Sequence, residues 1–319
     1  MDERCIQGLE SLPAAVRGGV LTVGNFDGVH LGHQRILATA RGLADAHGAA
    51  VVVLTFDPPP DLVIRPDDPP RRITPHAERC RLLRAAGADW VVTLKSEPAL
   101  LDMGPDEFVQ DIVLGRLAPA HVVEGQDFFF GRRRRGTVRT LEDWGRRAGF
   151  GVHVVEAVAL DFPEGPARIS SSLIRRLVAA GRIADANRCL GREFALFGKV
   201  VPGQGQGRVL AFPTANIDPT EQVIPADGIY AGRAAVGNLH TAAAISIGNK
   251  PTLGPILASV VEAFLLELEL KLDTGADFYG QEMTLSFVAR LRDQQKFASV
   301  KELQDQIAKD VERVRQTCR

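Results

Sequence analysis

The chain has 319 residues, 45% of them hydrophobic and 24% charged, with a formal net charge of −1 at pH 7. That length predicts two domains with the balance of a soluble globular protein, and the near-neutral charge gives no global attraction to nucleic acid or an acidic membrane surface. Cys5, Cys80, Cys189 and Cys318 lie far apart with no C-x-x-C pair, arguing for reduced thiols in a cytoplasm and against a disulfide framework or zinc site. The start, MDERCIQGLE, lacks an apolar signal core, and no apolar run is long enough to span a bilayer.

In chain order, VLTVG (20–24) predicts a strand feeding a helix from about Leu31 to His47. AAVVVLTF (49–56) reads as a buried strand ending at Pro58-Pro59-Pro60. A helix-like stretch at 75–86 precedes the strand DWVVTL (89–94). A helix fits Pro105 to Leu114, with proline at its tolerated first position. HVVEG (121–125), a helix near 138–148 and VHVVEA (152–157) complete the series. Apolar runs at this spacing predict parallel strands covered by helices, a doubly wound α/β sheet, whose ligands sit beyond the carboxyl ends of the strands.

Helical stretches at 170–180 and 182–190 give way to FGKVV, a glycine-rich turn, GIYAGRAAVG, HTAAAISIG, SVVEAFLLELELKL and EMTLSFVARL. Strands separated by turns predict an antiparallel β-barrel. Val300, Leu303, Ile307, Val311 and Val314 then recur at helical spacing and predict a terminal helix. The expected domains are 1–188 and 189–319.

The stretch VGNFDGVHLGH (23–33) lies at a predicted strand end. His30 and His33, three apart, can project from one side of a helix start. The glycines before them admit close backbone approach, and a helix N-terminus suits phosphate. Two histidines alone make a poor metal site, with no HExxH or cysteine partner nearby. A bare H-x-x-H, however, is no more specific than two helix-start histidines without a role.

Other segments add to it. GNFDGVHLGHQ resembles the H-x-G-H signature of the nucleotidyltransferase superfamily, in its flavin branch. TFDPPP (55–60) is similar to a TF-x-PHP segment, VVEGQDFFFGRRRRGT (122–137) to G-x-DF-x-FG, and RISSSLIR (168–175) to ISST-x-IR. GQGQGRVLAFPTANI (203–217) resembles the riboflavin kinase signature. IGNKPTLG (247–254) and DQQKFASVKELQDQIAKD (293–310) match later segments. Across nearly its whole length, the chain resembles the prokaryotic bifunctional riboflavin kinase/FMN adenylyltransferase (FAD synthetase) family.

The resemblance implies a Rossmann-like nucleotidyltransferase domain that adenylylates FMN to FAD, and a kinase barrel that phosphorylates riboflavin to FMN. Small-molecule partners would be riboflavin, FMN, FAD and ATP, with Mg²⁺; nucleic acid and membrane are not expected, and transient self-association is left open. His30 and His33 would stabilise charge on the α-phosphate and departing pyrophosphate. Gly24, Phe26, Asp27 and Gly28 would line the nucleotide, and Ser170, Ser171, Ser172 and Arg175 would hold phosphates. N-capping alone would also explain those serines. Asp127 and Phe128 would shape the flavin and nucleotide pockets. The run Arg132–Arg135 reads mainly as a solvated basic loop.

In the second half, Gly203, Gly205, Gly207 and Arg208 would wrap phosphate. Thr214 and Asn216 would contact Mg²⁺, which accepts neutral oxygen ligands. Phosphoryl transfer benefits from a base. By strand parity Glu262 goes with Phe264, Leu266 and Leu268, so it is expected to point inward, where a carboxylate needs a task or partner. The likeness of VEAF to the family's catalytic strand selects the same residue. Arg292 and Phe297 would lie near the flavin.

Three departures stand out. Pro59 replaces the histidine of TF-x-PHP, with His76 the nearest substitute in sequence; Ser172 replaces a threonine but keeps the hydroxyl. DFYG (277–280) arrives later than in the family, read as a lengthened hairpin. Losing an electrostatic donor can cost roughly two to three orders of magnitude in rate. An alternative therefore keeps the kinase and makes the front half a weakly active or non-catalytic flavin- or nucleotide-binding module. Cytidylyl transfer, a third reading, is disfavoured by the flavin-type segments after residue 122.

Overall fold

The computed structural model describes residues 3–202, 214–219, 221–249, 259–266 and 278–318. The short strand β1 (Cys5–Gln7) precedes β2 (Val20–Val23), in which every residue is buried. α1 (Leu31–His47) stops where Gly48 turns left-handed, a conformation glycine adopts without a Cβ penalty. There follow β3 (Val51–Phe56), α2 (Pro60–Ile64), α3 (His76–Ala85), β4 (Trp90–Leu94) and α4 (Pro98–Leu101). α5 begins at Pro105–Glu107 and continues as a π-helix over Phe108–Leu117. Next come β5 (His121–Gly125), β6 (Phe129–Phe130), β7 (Gly136–Thr137), α6 (Val138–Ala148), β8 (Gly151–Val155), β9 (Ala159–Phe162) and β10 (Gly165–Arg168).

These elements form one compact unit, to Pro70 and from His76 to Ser170. Its main sheet is parallel, in the order β1-β4-β3-β2-β5-β8. The chain winds one way from β2 through β3 and β4, then the other way from β5 to β8, so the order reverses between β2 and β5. Both faces are covered. Val20, Val51, Val53, Val91 and Val123 pack with Leu37, Ala40 and Leu83 of the helices on one side. Leu21, Leu54, Val92 and Val122 pack with Val109, Val113 and Leu141 on the other. Double coverage explains why the strands read as uninterrupted apolar runs.

The second compact unit comprises Arg71–Pro75 and the chain from Ser171. α7 (Ser171–Ala179) and α8 (Ile183–Leu190) lead into β11 (Phe194–Val201), β12 (Thr214–Asp218), β13 (Gly228–Val236), β14 (Leu239–Asn249), β15 (Ser259–Leu265) and β16 (Glu282–Arg292). The strands close a barrel in the order β11-β12-β15-β14-β13-β16. α8 is tied to it by Asn187, whose Nδ2 donates to Phe287 O (2.9 Å) and whose Oδ1 accepts from Phe194 N (2.7 Å). Buried Gln222 donates to Ile73 O and Ala195 O and accepts from Phe197 N, which attaches the 71–75 segment.

α9 (Val300–Thr317) closes the described chain. Val311 and Val314 pack on Ala231, Phe264 and Leu266. Val300 leaves the expected stripe: it is exposed, because it occupies the first helical position after the Ser299 cap.

The barrel corrects one expectation. Val261, Ala263 and Leu265 face the lumen with their cross-strand partners Ile247, Ile245 and Ala243. Glu262, Phe264 and Leu266 are on the outer face, where α9 covers Phe264 and Leu266. Glu262 therefore points outward, not inward. With both faces of β15 apolar, parity alone could not identify the lumen.

Candidate active sites

The first site forms at the reversal of strand order. β2 and β5 pair only as far as Val20–His121 and Leu21–Val122. Beyond that point they diverge, and Val23 N donates 2.6 Å to the Glu124 side chain. Such a switch point opens the crevice in which α/β sheets bind ligands. The turn after β2 is strained: Phe26 and Val29 adopt φ of 48° and 39°, and Gly28 one of 84°. Each left-handed non-glycine residue costs about 1–3 kcal/mol, held here by burial of both side chains. Gly24 leaves room for the Phe26 ring, which a Cβ would meet at 3.2 Å. Asp27 is buried in the same turn.

That turn delivers His30 to the N-cap of α1, where its Nδ1 accepts from His33 N at 3.4 Å. An accepting Nδ1 places the proton of the neutral ring on Nε2. The His30 and His33 rings stack with centroids 3.6 Å apart, and Phe26 meets His33 edge-on at 5.1 Å. His33 Nδ1 is buried without a hydrogen-bond partner among the described residues, so its proton too belongs on Nε2. Burial, then His30, then Arg79 hold the His33 pKa well below the usual imidazole value. With Nδ1 accepting in His30 and enclosed in His33, the Nε2–H groups are the donors the pair can offer at a helix N-terminus.

Around it, Thr55 Oγ1 donates to Asn25 O (3.4 Å), joining the turn to the end of β3. Pro59 caps α2 and makes no side-chain hydrogen bond, so position 59 supplies no donor. Asp127 is exposed and ion-paired with Arg168, and Phe128 stacks on Phe130 at 5.4 Å. Arg132–Arg135 are exposed, with Arg134 lying over Phe129. Ser170 ends the first unit; Ser171, Ser172 and Arg175 lie on α7 in the second.

Sequence reasoning missed two residues here. Arg79 is fully buried on α3, and Glu124 is 2% exposed in β5. The signals were an arginine one turn before Leu83 on an apolar stripe and a glutamate inside the run HVVEG. Burial pushes the Glu124 carboxyl well above its usual range, partly opposed by the Val23 hydrogen bond.

The second site is a row across three barrel strands. Glu262 on β15 is the register partner of Asn216 on β12 and of Ser246 on β14. Cross-strand partners share a face, so all three project outward together, with Thr214 two residues along. Asn216 is buried and Thr214 exposed. Gln294 Nε2 donates to Ser246 Oγ and to Ile247 O, each at 3.0 Å. Arg292, itself half-buried, pairs with the buried Asp310 of α9 (2.6 Å), and its guanidinium lies 6.0 Å from the Phe297 ring. Gly203, Gly205, Gly207 and Arg208 lie outside the described residues.

Two family models divide the chain. One, FAD synthetase, matches residues 12–173, and one, riboflavin kinase, matches residues 190–318. The bifunctional riboflavin kinase/FMN adenylyltransferase of Escherichia coli K12 is 34% identical over 96% of this chain and 95% of its own. The enzyme of the same name from Bacillus subtilis is 33% identical over 91% of this chain and 90% of its own. A crystal structure of a macrolide-efflux protein from Streptococcus pneumoniae superposes with a TM-score of 0.85 at 26% identity, covering 98% of this chain and 99% of that one. A parallel sheet carrying paired histidines, a barrel carrying the Asn216–Glu262 row, and relatives spanning both place the chain in the bifunctional riboflavin kinase/FMN adenylyltransferase family.

Proposed function

We propose that the chain makes FAD in two ATP-dependent steps, each residue role below being our reading. The carboxyl-terminal half phosphorylates riboflavin to FMN, and the amino-terminal half adenylylates FMN with release of pyrophosphate. The observation that carries this is the pairing of both family matches with two separate polar sites. Functionally we divide the chain at 188/189, although α8 packs on the barrel and α7 on α8. We read the setting as cytoplasmic, where four cysteines scattered along the sequence without a C-x-x-C pair stay as thiols.

In adenylyl transfer, an FMN phosphate oxygen attacks the α-phosphorus of ATP, the new P–O bond forms, and pyrophosphate leaves. The Nε2–H groups of His30 and His33 donate to the phosphate oxygens as charge builds. Gly24, Phe26, Asp27 and Gly28 shape the nucleotide cradle. Ser170, Ser171, Ser172 and Arg175 hold phosphates, while Asp127 and Phe128 border the flavin.

In the kinase step, Glu262 takes the proton of the riboflavin hydroxyl as its oxygen attacks the γ-phosphorus, and ADP leaves. Thr214 and Asn216 offer neutral oxygens from one strand face beside that carboxylate, a donor set that suits Mg²⁺ with phosphate oxygens completing its shell. That ion would neutralise phosphate charge. Gly203, Gly205, Gly207 and Arg208 wrap the phosphates, and Arg292 and Phe297 border the flavin.

The second reading, a kinase whose first half binds without useful catalysis, is favoured by the donorless Pro59. Incubation with riboflavin, ATP and Mg²⁺, resolving FMN from FAD, separates the two. FAD formation supports the two-step enzyme; FMN accumulation with no FAD, even from supplied FMN, eliminates it.

A further inference from the structure

Arg79 is the largest fully buried side chain among the described residues, with 0% exposure, and it carries a permanent charge. A charge so placed is costly unless hydrogen-bonded and paired. Its Nη2 donates 2.7 Å to Phe56 O, the last carbonyl of β3, and 3.0 Å to His76 Nδ1. The same nitrogen lies 3.6 Å from Asp57 Oδ1. Arg79 therefore holds the strand end that turns into Pro58 and Pro59, one residue beyond Thr55, which binds the histidine-bearing turn through Asn25 O.

Resting on the two-step reading above, we propose that Arg79 is a positioning residue of the adenylyl-transfer site. It fixes the end of β3 beside the histidine pair, and its buried positive charge adds to burial and to His30 in disfavouring a second proton on His33. Geometry explains why neutrality matters. A protonated His33 would put an N–H on the buried Nδ1, which has no acceptor among the described residues. The charged and titratable groups that act on His33 are His30 on α1 and Arg79 on α3, and Arg79 in turn contacts His76 on its own helix and Asp57 at the end of β3. The Asp57 carboxylate tempers the Arg79 field.

The test uses the full chain, following His33 by imidazole NMR (assigned with His33→Gln) and both activities separately. Arg79→Met should lower FAD formation from supplied FMN by about 10- to 100-fold, leave FMN formation within about twofold, and move the His33 titration to higher pH. Asp57→Asn should move that titration the opposite way, to lower pH. Since Asp57 is partly exposed, this variant keeps the test open if Arg79→Met does not fold. Arg79→Lys, retaining the charge, should keep the His33 titration near that of the parent. Unmoved titrations in Asp57→Asn and in folded Arg79→Met, or a loss of FAD formation with titration unchanged, would overturn the proposal. If the parent chain makes no FAD, the two-step reading fails instead, while the titration shifts still decide the role of Arg79 in holding His33.

Discussion

The His30 imidazole both caps α1, accepting from His33 N through Nδ1, and stacks on the His33 ring at 3.6 Å. One side chain thus terminates the helix and fixes the tautomer of a phosphate donor. These two duties can be separated. His30→Asn retains a cap-forming side chain and should leave thermal stability nearly unchanged, while His30→Ala loses about 1 kcal/mol. Both should lower FAD formation by about 100-fold or more and spare FMN formation. Equal FAD formation in parent and Asn variant would remove His30 from the chemistry.

Glu262 gives the reciprocal experiment. Glu262→Gln keeps shape and hydrogen bonding but cannot take a proton, so FMN formation should fall by about 100-fold or more. FAD formation from supplied FMN should persist. Loss of both activities in a folded protein contradicts separate sites.

Acid should weaken the first unit. Burial, then His30, then Arg79 lower the His33 pKa, and burial, then His153 and His47, lower that of His121. Unfolded, both take up a proton near 6.5. Below that pH the unfolded chain binds more protons, so their contribution is complete above about 6.5 and declines as pH falls through the folded values. Denaturant midpoints at pH 7.5 and 5.5 check this: the midpoint should drop, and less so in His121→Gln. An equal drop in that variant would exclude the contact between His121 Nδ1 and His153 Nε2, 3.2 Å apart, as a source.

Glu124 has the opposite sign. Its folded pKa is raised by burial, so stability is fullest below its ordinary value near 4.5 and declines as pH rises toward the folded value. Glu124→Gln can still accept from Val23 N and removes the titration. At pH 7 its melting temperature should exceed the parent's by a few degrees, with the gain vanishing at pH 4. A lower melting temperature at pH 7 would argue that the carboxyl has an uncharted partner.

The Arg292–Asp310 pair joins the end of β16 to α9, with Gln306 Nε2 also donating to Asp310 (3.0 Å). Breaking one side leaves the partly buried Arg292 guanidinium short of its partner, so Asp310→Asn should cost about 1–3 kcal/mol, less than for a fully buried pair. Replacing both partners by apolar residues should recover much of it. Calorimetry distinguishes this from a surface pair, whose loss costs under about 1 kcal/mol.

Much of this was legible in residue order. The helix predicted over Leu31–His47 forms over those residues, and HVVEG forms β5, because buried apolar runs and helix-end signals act locally. The hairpin β9–β10 escaped notice because its alternation is short and its residues weakly apolar. The π-helix over Phe108–Leu117 keeps helical content while breaking the 3.6-residue period.

The sequence by itself determined the family motifs, the alternation of strands and helices, and the two-residue phase that sets Glu262 apart from Val261. Those are properties of neighbours along the chain. Only the tertiary structure decided which phase faces the lumen, that the His30 and His33 rings stack, and that Arg79 and Glu124 are buried. Burial and electrostatic environment depend on what packs from elsewhere: α9 over β15, Arg79 near His33, and the splitting of β2 from β5 above Leu21.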